Sequence, residues 1–161
     1  YMIHSGHKDI AYVGNIYATS SIQDRFLGFY KSLLEHKIKL EEDYIISDRD
    51  ENGTYIEFKY PEKMPTAFVC NCDQVANSLV RELQEKGYHI PEDISVVGFD
   101  NSIFATISNP QLTTVEVDTI GMATAGVELL LRKINDPLYK TGKIAMKGNL
   151  ILRDSVKKIV D

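Results

Sequence analysis

Five polar side chains stand where apolar runs end or the next segments open: Thr19, Ser21, Arg25, Asp73 and Asp100. Their types suit the grasp of a small polar molecule. A guanidinium fork donates paired hydrogen bonds and a carboxylate accepts from hydroxyl or N–H groups, so an Arg and an Asp on opposite walls of a crevice can bracket such a ligand. That is recognition rather than catalysis. Each residue also has a structural role open to it: Arg25 as an ordinary exposed helix residue, Asp73 as an N-cap, Thr19 and Ser21 as capping hydroxyls. Asp100 directly follows the apolar run I-S-V-V-G-F, at the edge of any crevice there.

Other chemistries lack their residues. Dinucleotide binding needs G-x-G-x-x-G at the first strand-to-helix turn, and the turn here is Gly14-Asn15-Ile16-Tyr17. Gly142-Lys143 is followed by Ile144, without the hydroxyl that holds magnesium in a phosphate loop. No nucleophile elbow G-x-S-x-G occurs. His4 and His7 have no metal-binding motif around them and read as surface or turn residues, so neither metal nor cofactor is expected. Cys70 and Cys72, with one residue between them, make an awkward bridge and fit a reducing cytoplasm.

These side chains need elements to position them. Short apolar runs alternate with longer amphipathic segments, the pattern of a parallel sheet covered by helices. Strands are expected at 10–14, 44–47, 66–71, 94–99 and 112–117, with one more extended piece at 149–153. The first helix, capped by Ser20 or Ser21, turns Ile22, Phe26, Phe29, Tyr30, Leu33 and Leu34 to one face. A second, capped by Asp73, carries Val75, Ala76, Leu79, Val80 and Leu83, and closes on Lys86 and Gly87. Residues 48–54 form a loop around the Asn52-Gly53 turn, 55–60 a helical turn or two, and 103–107 a short helix. Residues 119–134 are the most regular helix, with Ile120, Ala123, Val127, Leu130, Leu131 and Ile134 as its buried stripe. The architecture is α/β, a doubly wound parallel sheet, which places ligands at the carboxyl ends of its strands.

Composition sets outer bounds. The 161 residues are 43% apolar, enough for a core. A formal charge of -5 is the wrong sign for gripping a phosphate backbone, so any nucleic-acid contact must lie outside these residues. No apolar run approaches the roughly 20 residues that span a bilayer, and Tyr1 to Lys8 lack an apolar signal core, so a soluble, unexported chain is expected; its start at Tyr1, with Met2 behind it, suggests a piece cut from a longer polypeptide.

Five blocks carry a resemblance: G-H-K-D-I-A-Y-V-G at 6–14, D-R-F-L-G-F at 24–29, P-T-A-F-V-C at 65–70, I-P-E-D-I-S-V-V-G-F-D-N at 90–101 and P-Q-L-T-T-V at 110–115. With Arg153 near the end, they resemble the effector-binding core of the LacI/GalR family of bacterial transcription regulators, in the family's order over nearly the whole chain. The resemblance implies a fold like the type I periplasmic binding proteins, two α/β subdomains around a cleft. It further implies that 1–112 are mainly the C-terminal subdomain, that 113–137 cross into the N-terminal subdomain, and that 138–161 return. The DNA-reading domain would precede Tyr1.

By the same resemblance Arg25 and Asp100 match the family's most regular effector contacts, Thr19 and Ser21 lie on a loop that often touches effector, and Asp73 matches the Asp after the third strand. Cys72 stands where many members have an Asn whose amide binds effector, and its thiol offers only a weak hydrogen bond. Asp50 falls near where an aromatic often packs on the ligand. The implied function is a cytoplasmic ligand-sensing and dimerising region, not an enzyme, that binds a sugar, sugar phosphate or nucleobase and alters distant DNA affinity. The implied homodimer surface includes Leu79, Val80, Leu83, Phe104 and Ile107, with the open alternative that the three leucine and valine side chains serve the chain's own core. A solute-binding protein of a sugar transporter would share fold and cleft. The helix at 119–134 would pack on a sheet of the other subdomain, and is expected to find a substitute partner.

Overall fold

The structure is a computed structural model and describes residues 1–159. Four strands make the main sheet: β1 (Ile10–Val13), β2 (Ile45–Ile46), β3 (Ala67–Cys70) and β4 (Ser95–Val97). All neighbours are parallel, in the order β2-β1-β3-β4, with Tyr12 opposite Ile45, Ile10 opposite Ala67, and Ala67 opposite Ser95. Every side chain of the central β1 is buried, so its sequence is a continuous apolar run rather than an alternating one. Ala11, Val13, Phe68, Cys70 and Val96 go to one core, and Ile10, Ala67 and Val97 to the other.

Helices lie on both faces. α1 (Ser20–Glu35) links β1 to β2, and α2 (Asp73–Glu85) links β3 to β4. Because the sheet grows outward in opposite directions from its middle, right-handed crossovers put these helices on opposite sides. Val75, Ala76, Leu79, Val80 and Leu83 of α2 are buried against the sheet. A buried aliphatic side chain of this size contributes about 1.5–3 kcal/mol. α3 (Ile103–Ile107) adds Ala105 to the same layer.

Two further strands, β5 (Thr114–Glu116) and β6 (Asn149–Ile151), pair antiparallel, with α4 (Thr119–Asn135) between them in sequence. Beyond β6 the chain returns to the main sheet. Val96 N–H donates to Ser155 O at 2.8 Å, Ser155 Oγ donates to Val96 O at 2.6 Å, and Thr113 N–H donates to Ser155 Oγ at 2.8 Å.

Several expectations are corrected. Leu79, Val80 and Leu83 are no more than 1% exposed, so they belong to the chain's own core and leave nothing for a partner; Phe104 is half-buried and Ile107 exposed. Only Leu33 of α1 is fully buried, with Tyr30 and Leu34 exposed, because α1 presses chiefly on Tyr12 through Phe26 and Phe29. Thr19, not Ser20 or Ser21, caps α1. Residues 55–60 are not helical. Asp50 Oδ1 accepts from Asn52 N–H and Thr54 N–H, Tyr55 bridges back to Arg49, and the extended chain then delivers Phe58 to the core. α4 buries none of its residues, and Val127, Leu130 and Ile134 are 58–65% exposed. Its apolar period is genuine, but no surface among the described residues receives it. His7 is fully buried rather than at the surface: Nδ1 meets Thr66 Oγ1 at 3.0 Å and Nε2 meets Lys157 O at 3.2 Å.

Candidate effector-binding site

The site is built on strand ends. Beyond β4 the chain bends sharply: Asp100 and Asn101 take positive φ, 110° and 54°, which non-glycine residues adopt at a cost of about 1–3 kcal/mol when the surroundings hold them there. Those surroundings are visible. Asp100 N–H donates to Val115 O at 2.8 Å, Asn101 Nδ2 donates to Glu116 Oε1 at 3.0 Å, and Arg153 donates to Asn101 Oδ1 at 2.7 Å and to Leu112 O at 2.8 Å. The bend aims Asp100 at α1. Arg25, in the second turn of that helix, donates from NH2 to Asp100 Oδ1 at 3.1 Å and from NH1 to Asn71 O, with Cζ 3.9 Å from the Phe99 ring centroid. Stacking and two acceptors hold the guanidinium in one plane.

Both groups stay reachable, with side chains 22% and 39% exposed. Burial pushes the Asp100 carboxyl above its usual range, opposed by Arg25 and reinforced by Asp73. A cleft of about 390 Å³ opens beside the pair, lined by Ser21, Asp24, Arg25, Phe99 and Asp118 among others. Aromatic face, forked donor and nearby carboxylates can hold a ring bearing hydroxyl or N–H groups.

The other sequence candidates fall differently. Ser21 lines the cleft and its Oγ lies 3.0 Å from Thr19 Oγ1, whereas Thr19 is engaged as the cap, accepting from Ile22 N–H at 3.2 Å. Asp73 is neither N-cap nor wall. Cys72 occupies the cap position without a side-chain bond, and fully buried Asp73 accepts from Ser102 N–H at 2.7 Å and from the Thr114 hydroxyl at 2.6 Å. Its carboxylate ties α2 to α3 and β5. It fits only because position 98 is glycine: a Cβ there would lie 2.2 Å from Asp73 Oδ1. Cys72 is half-buried, burial pushes its thiol up, and it is not among the residues that line the cleft. Asp50 is taken up by its turn.

A second arm of the site was not anticipated. Fully buried Asp48, just past β2, accepts from Asn15 N–H at 2.7 Å, from Asn71 Nδ2 at 3.3 Å and from both Nε and NH2 of Arg49. Arg49 lies over Tyr55, Cζ to centroid 4.8 Å. Through Asn71 this arm joins the first, so one network runs Asp100–Arg25–Asn71–Asp48–Arg49 across the strand ends. The available signal was Asp48 itself, a carboxylate directly after an apolar strand, like Asp100. Among the described residues no group of three or more His, Cys, Asp or Glu could hold a metal ion, and no helix is long and apolar enough to cross a membrane.

Comparison with known proteins places this geometry. The family model of the periplasmic binding protein-like domain matches residues 1–156. The transcriptional repressor PurR of Vibrio parahaemolyticus is 32% identical over 163 residues, covering 99% of this chain and 49% of the repressor. A LacI-type regulator from Bacillus cereus subsp. cytotoxis superposes with a TM-score of 0.85 at 23% identity, over 99% of this chain and 58% of that one. A LacI family regulator from Enterococcus faecium with bound ribose gives 0.78 at 23% identity, over 99% and 60%. The chain thus spans about half the length of the curated relatives it matches. With its matching sheet, strand-end cleft and sequence blocks, the chain belongs to the periplasmic binding protein-like family, in the effector-binding core of the LacI/GalR regulators.

Proposed function

We propose that the strand-end cleft takes up a small metabolite, a sugar, sugar phosphate or nucleobase, and that its occupancy biases DNA binding by another part of a cytoplasmic LacI-type repressor. The observation that carries this reading is the Arg25–Asp100 pair, held at 3.1 Å beside Phe99 and a cleft of about 390 Å³. Arg25 and Asp100 make the principal contacts, Ser21 lines the rim, and Thr19, Cys72 and Asp73 support the walls. Nothing in this arrangement requires a bond to be made or broken. Coupling of this kind is worth about 1–3 kcal/mol, and exists only where ligand prefers one cleft geometry.

The division of the chain follows the same reading. Residues 1–112 form the C-terminal subdomain, 113–137 leave it, and 138–161 come back. The antiparallel β5–β6 pair supports this as the outgoing and incoming passages, and α4 without a buried residue supports a partner elsewhere. A homodimer contact is proposed at α3, where Ile103 and Ile107 are 65% and 60% exposed. Calorimetric titration of the full-length regulator with sugars, phosphorylated sugars and nucleobases tests the function. Saturable heat that Arg25→Ala abolishes is expected; no heat from any of the three classes overturns it.

A further inference from the structure

The connection from β2 to β3 departs from the pattern of its own sheet. A parallel crossover is usually made by a helix, as α2 does between β3 and β4, yet residues 47–66 cross without a helix or a named strand. Phe58 and, in part, Tyr60 and Met64 pin this strap to the core. Connections this long without regular structure are uncommon in a compact fold, and ordered ones usually serve binding.

An extended strap is narrower than a helix and leaves the flank of α2 unfilled. A cavity of about 300 Å³ lies between the two, lined by Tyr55, Ile56 and Phe58 of the strap and by Val75, Ser78 and Glu82 of α2. Ser78 and Glu82 are four positions apart and so share one face of the helix. The cavity meets the effector network at Asp48 and Tyr55, while none of its lining residues lines the effector cleft.

The two walls differ in chemistry. The strap side is aromatic and aliphatic. On the helix side a carboxylate has an unmet need: Glu82 Oε1 and the Tyr60 hydroxyl are both buried, and neither has a hydrogen-bond partner. Burial, reinforced by the neighbouring Glu82 charge, pushes the Tyr60 hydroxyl above its usual range, so the phenol stays protonated and adds no second negative charge. Lys86 compensates Glu82 only in part, its Nζ lying 3.9 Å from Glu82 Oε1, beyond hydrogen-bond reach, and 5.4 Å from the Tyr60 ring centroid. Its side chain is 43% exposed and free to turn to solvent. A buried acceptor left unsatisfied is costly, the more so when charged, and an ammonium group with three donors can serve the carboxylate and the phenol oxygen together.

We propose that this cavity is a second small-molecule site, for a primary amine with a compact aromatic or branched aliphatic body. The ammonium donates to Glu82 Oε1 and to the Tyr60 oxygen, and the body lies against Phe58, Ile56 and Val75. The volume stands at the lower end of small-molecule sites, which keeps the ligand small. The site stands whether or not the strand-end cleft takes an effector.

Methyl nuclear magnetic resonance of the full-length regulator with phenethylamine hydrochloride tests this. The methyls of Ile56 and Val75 are expected to shift saturably with up to about 10 mM of the amine. The neutral match 2-phenylethanol should bind at least about tenfold more weakly, since it lacks the charged donor. Glu82→Gln should weaken the amine by a similar factor and leave the alcohol unchanged. Ser78→Phe, which fills the cavity from an exposed position on α2, should abolish both shifts, and Lys86→Met, which removes a competing cation, should tighten the amine. Methyls of Ile56 and Val75 that do not respond to the amine, or that respond equally in Ser78→Phe, overturn the site. Equal affinity for amine and alcohol, undiminished amine binding in Glu82→Gln, or weaker amine binding in Lys86→Met overturns the recognition of an ammonium by Glu82.

Discussion

Arg25 and Asp100 are 75 positions apart in sequence, yet a nitrogen of one lies 3.1 Å from an oxygen of the other. They do not stand across an empty gap awaiting a ligand. Each compensates the other's charge, and an arriving molecule must insert into, or build upon, an existing ion pair. An uncharged ligand with both donors and acceptors can satisfy the two groups together.

Removing one member should therefore change selectivity as well as affinity. Asp100→Asn leaves the guanidinium with less compensation, so an anionic ligand is expected to gain relative to its neutral analogue. Arg25→Lys retains charge but loses the fork and the stacked plane, and should weaken binding by about 1.5–3 kcal/mol, the worth of a charge-assisted hydrogen bond. Titration calorimetry of both variants against the same ligand set reads this out. Equal loss for charged and neutral ligands in Asp100→Asn would refute the compensation.

The buried face of α2 and the exposed face of α3 make opposite predictions. Leu79→Ala and Leu83→Ala should each cost about 2–5 kcal/mol in urea unfolding, since both side chains are 0% exposed in a close-packed layer. Ile107→Ser should leave unfolding within about 0.5 kcal/mol of the parent. In sedimentation of the full-length regulator the same substitution should weaken self-association. A dimer untouched by Ile107→Ser would move the interface elsewhere.

Stability should depend on pH through His7. Desolvation by burial lowers its pKa below 6.5, with the Lys157 carbonyl acting against the shift and the Lys157 charge adding to it. Above pH 6.5 the imidazole is neutral in both folded and unfolded chains and carries no penalty. As the pH falls from there toward the folded value, the unfolded chain takes up the proton first, so stability drops with falling pH and levels off below the folded pKa. His7→Gln should flatten this part of the profile in denaturant titrations. A slope equally steep in the variant would assign it to other groups.

Asp73→Ala should be costly for a reason unrelated to ligand. It orphans Ser102 N–H and the Thr114 hydroxyl in a buried setting, at about 1–3 kcal/mol for each unsatisfied group. Thermal unfolding should show the loss. Ligand affinity per folded molecule should change little, because the carboxylate faces α3 and β5 rather than the cleft.

The sheet was legible because its strands are short apolar runs set between helices of clear period, and Val75 through Leu83 is an unambiguous face. Arg25 and Asp100 could be named because one lies on the first helix and the other directly ends a strand. Asp48 and Asn71 were missed as members because each depends on where the ends of β2 and β3 fall relative to β1, and register is not written in local periodicity. His7 was misread for a similar reason: its partners, Thr66 and Lys157, are 59 and 150 positions away. The stripe of α4 shows the converse, a correct local period whose partner no local pattern could supply.

Ser155, completely enclosed, closes the outer edge of β4, and Ile159 N–H reaches Ser5 O at 2.7 Å. The stretch before β1 and the stretch after β6 are thus sewn together. During synthesis part of this edge must wait: Thr113 covers it at Val97 and Gly98, but until residue 155 has left the ribosome the rim at Val96 stays raw, and a transcript broken just upstream would yield a product prone to self-adhesion there.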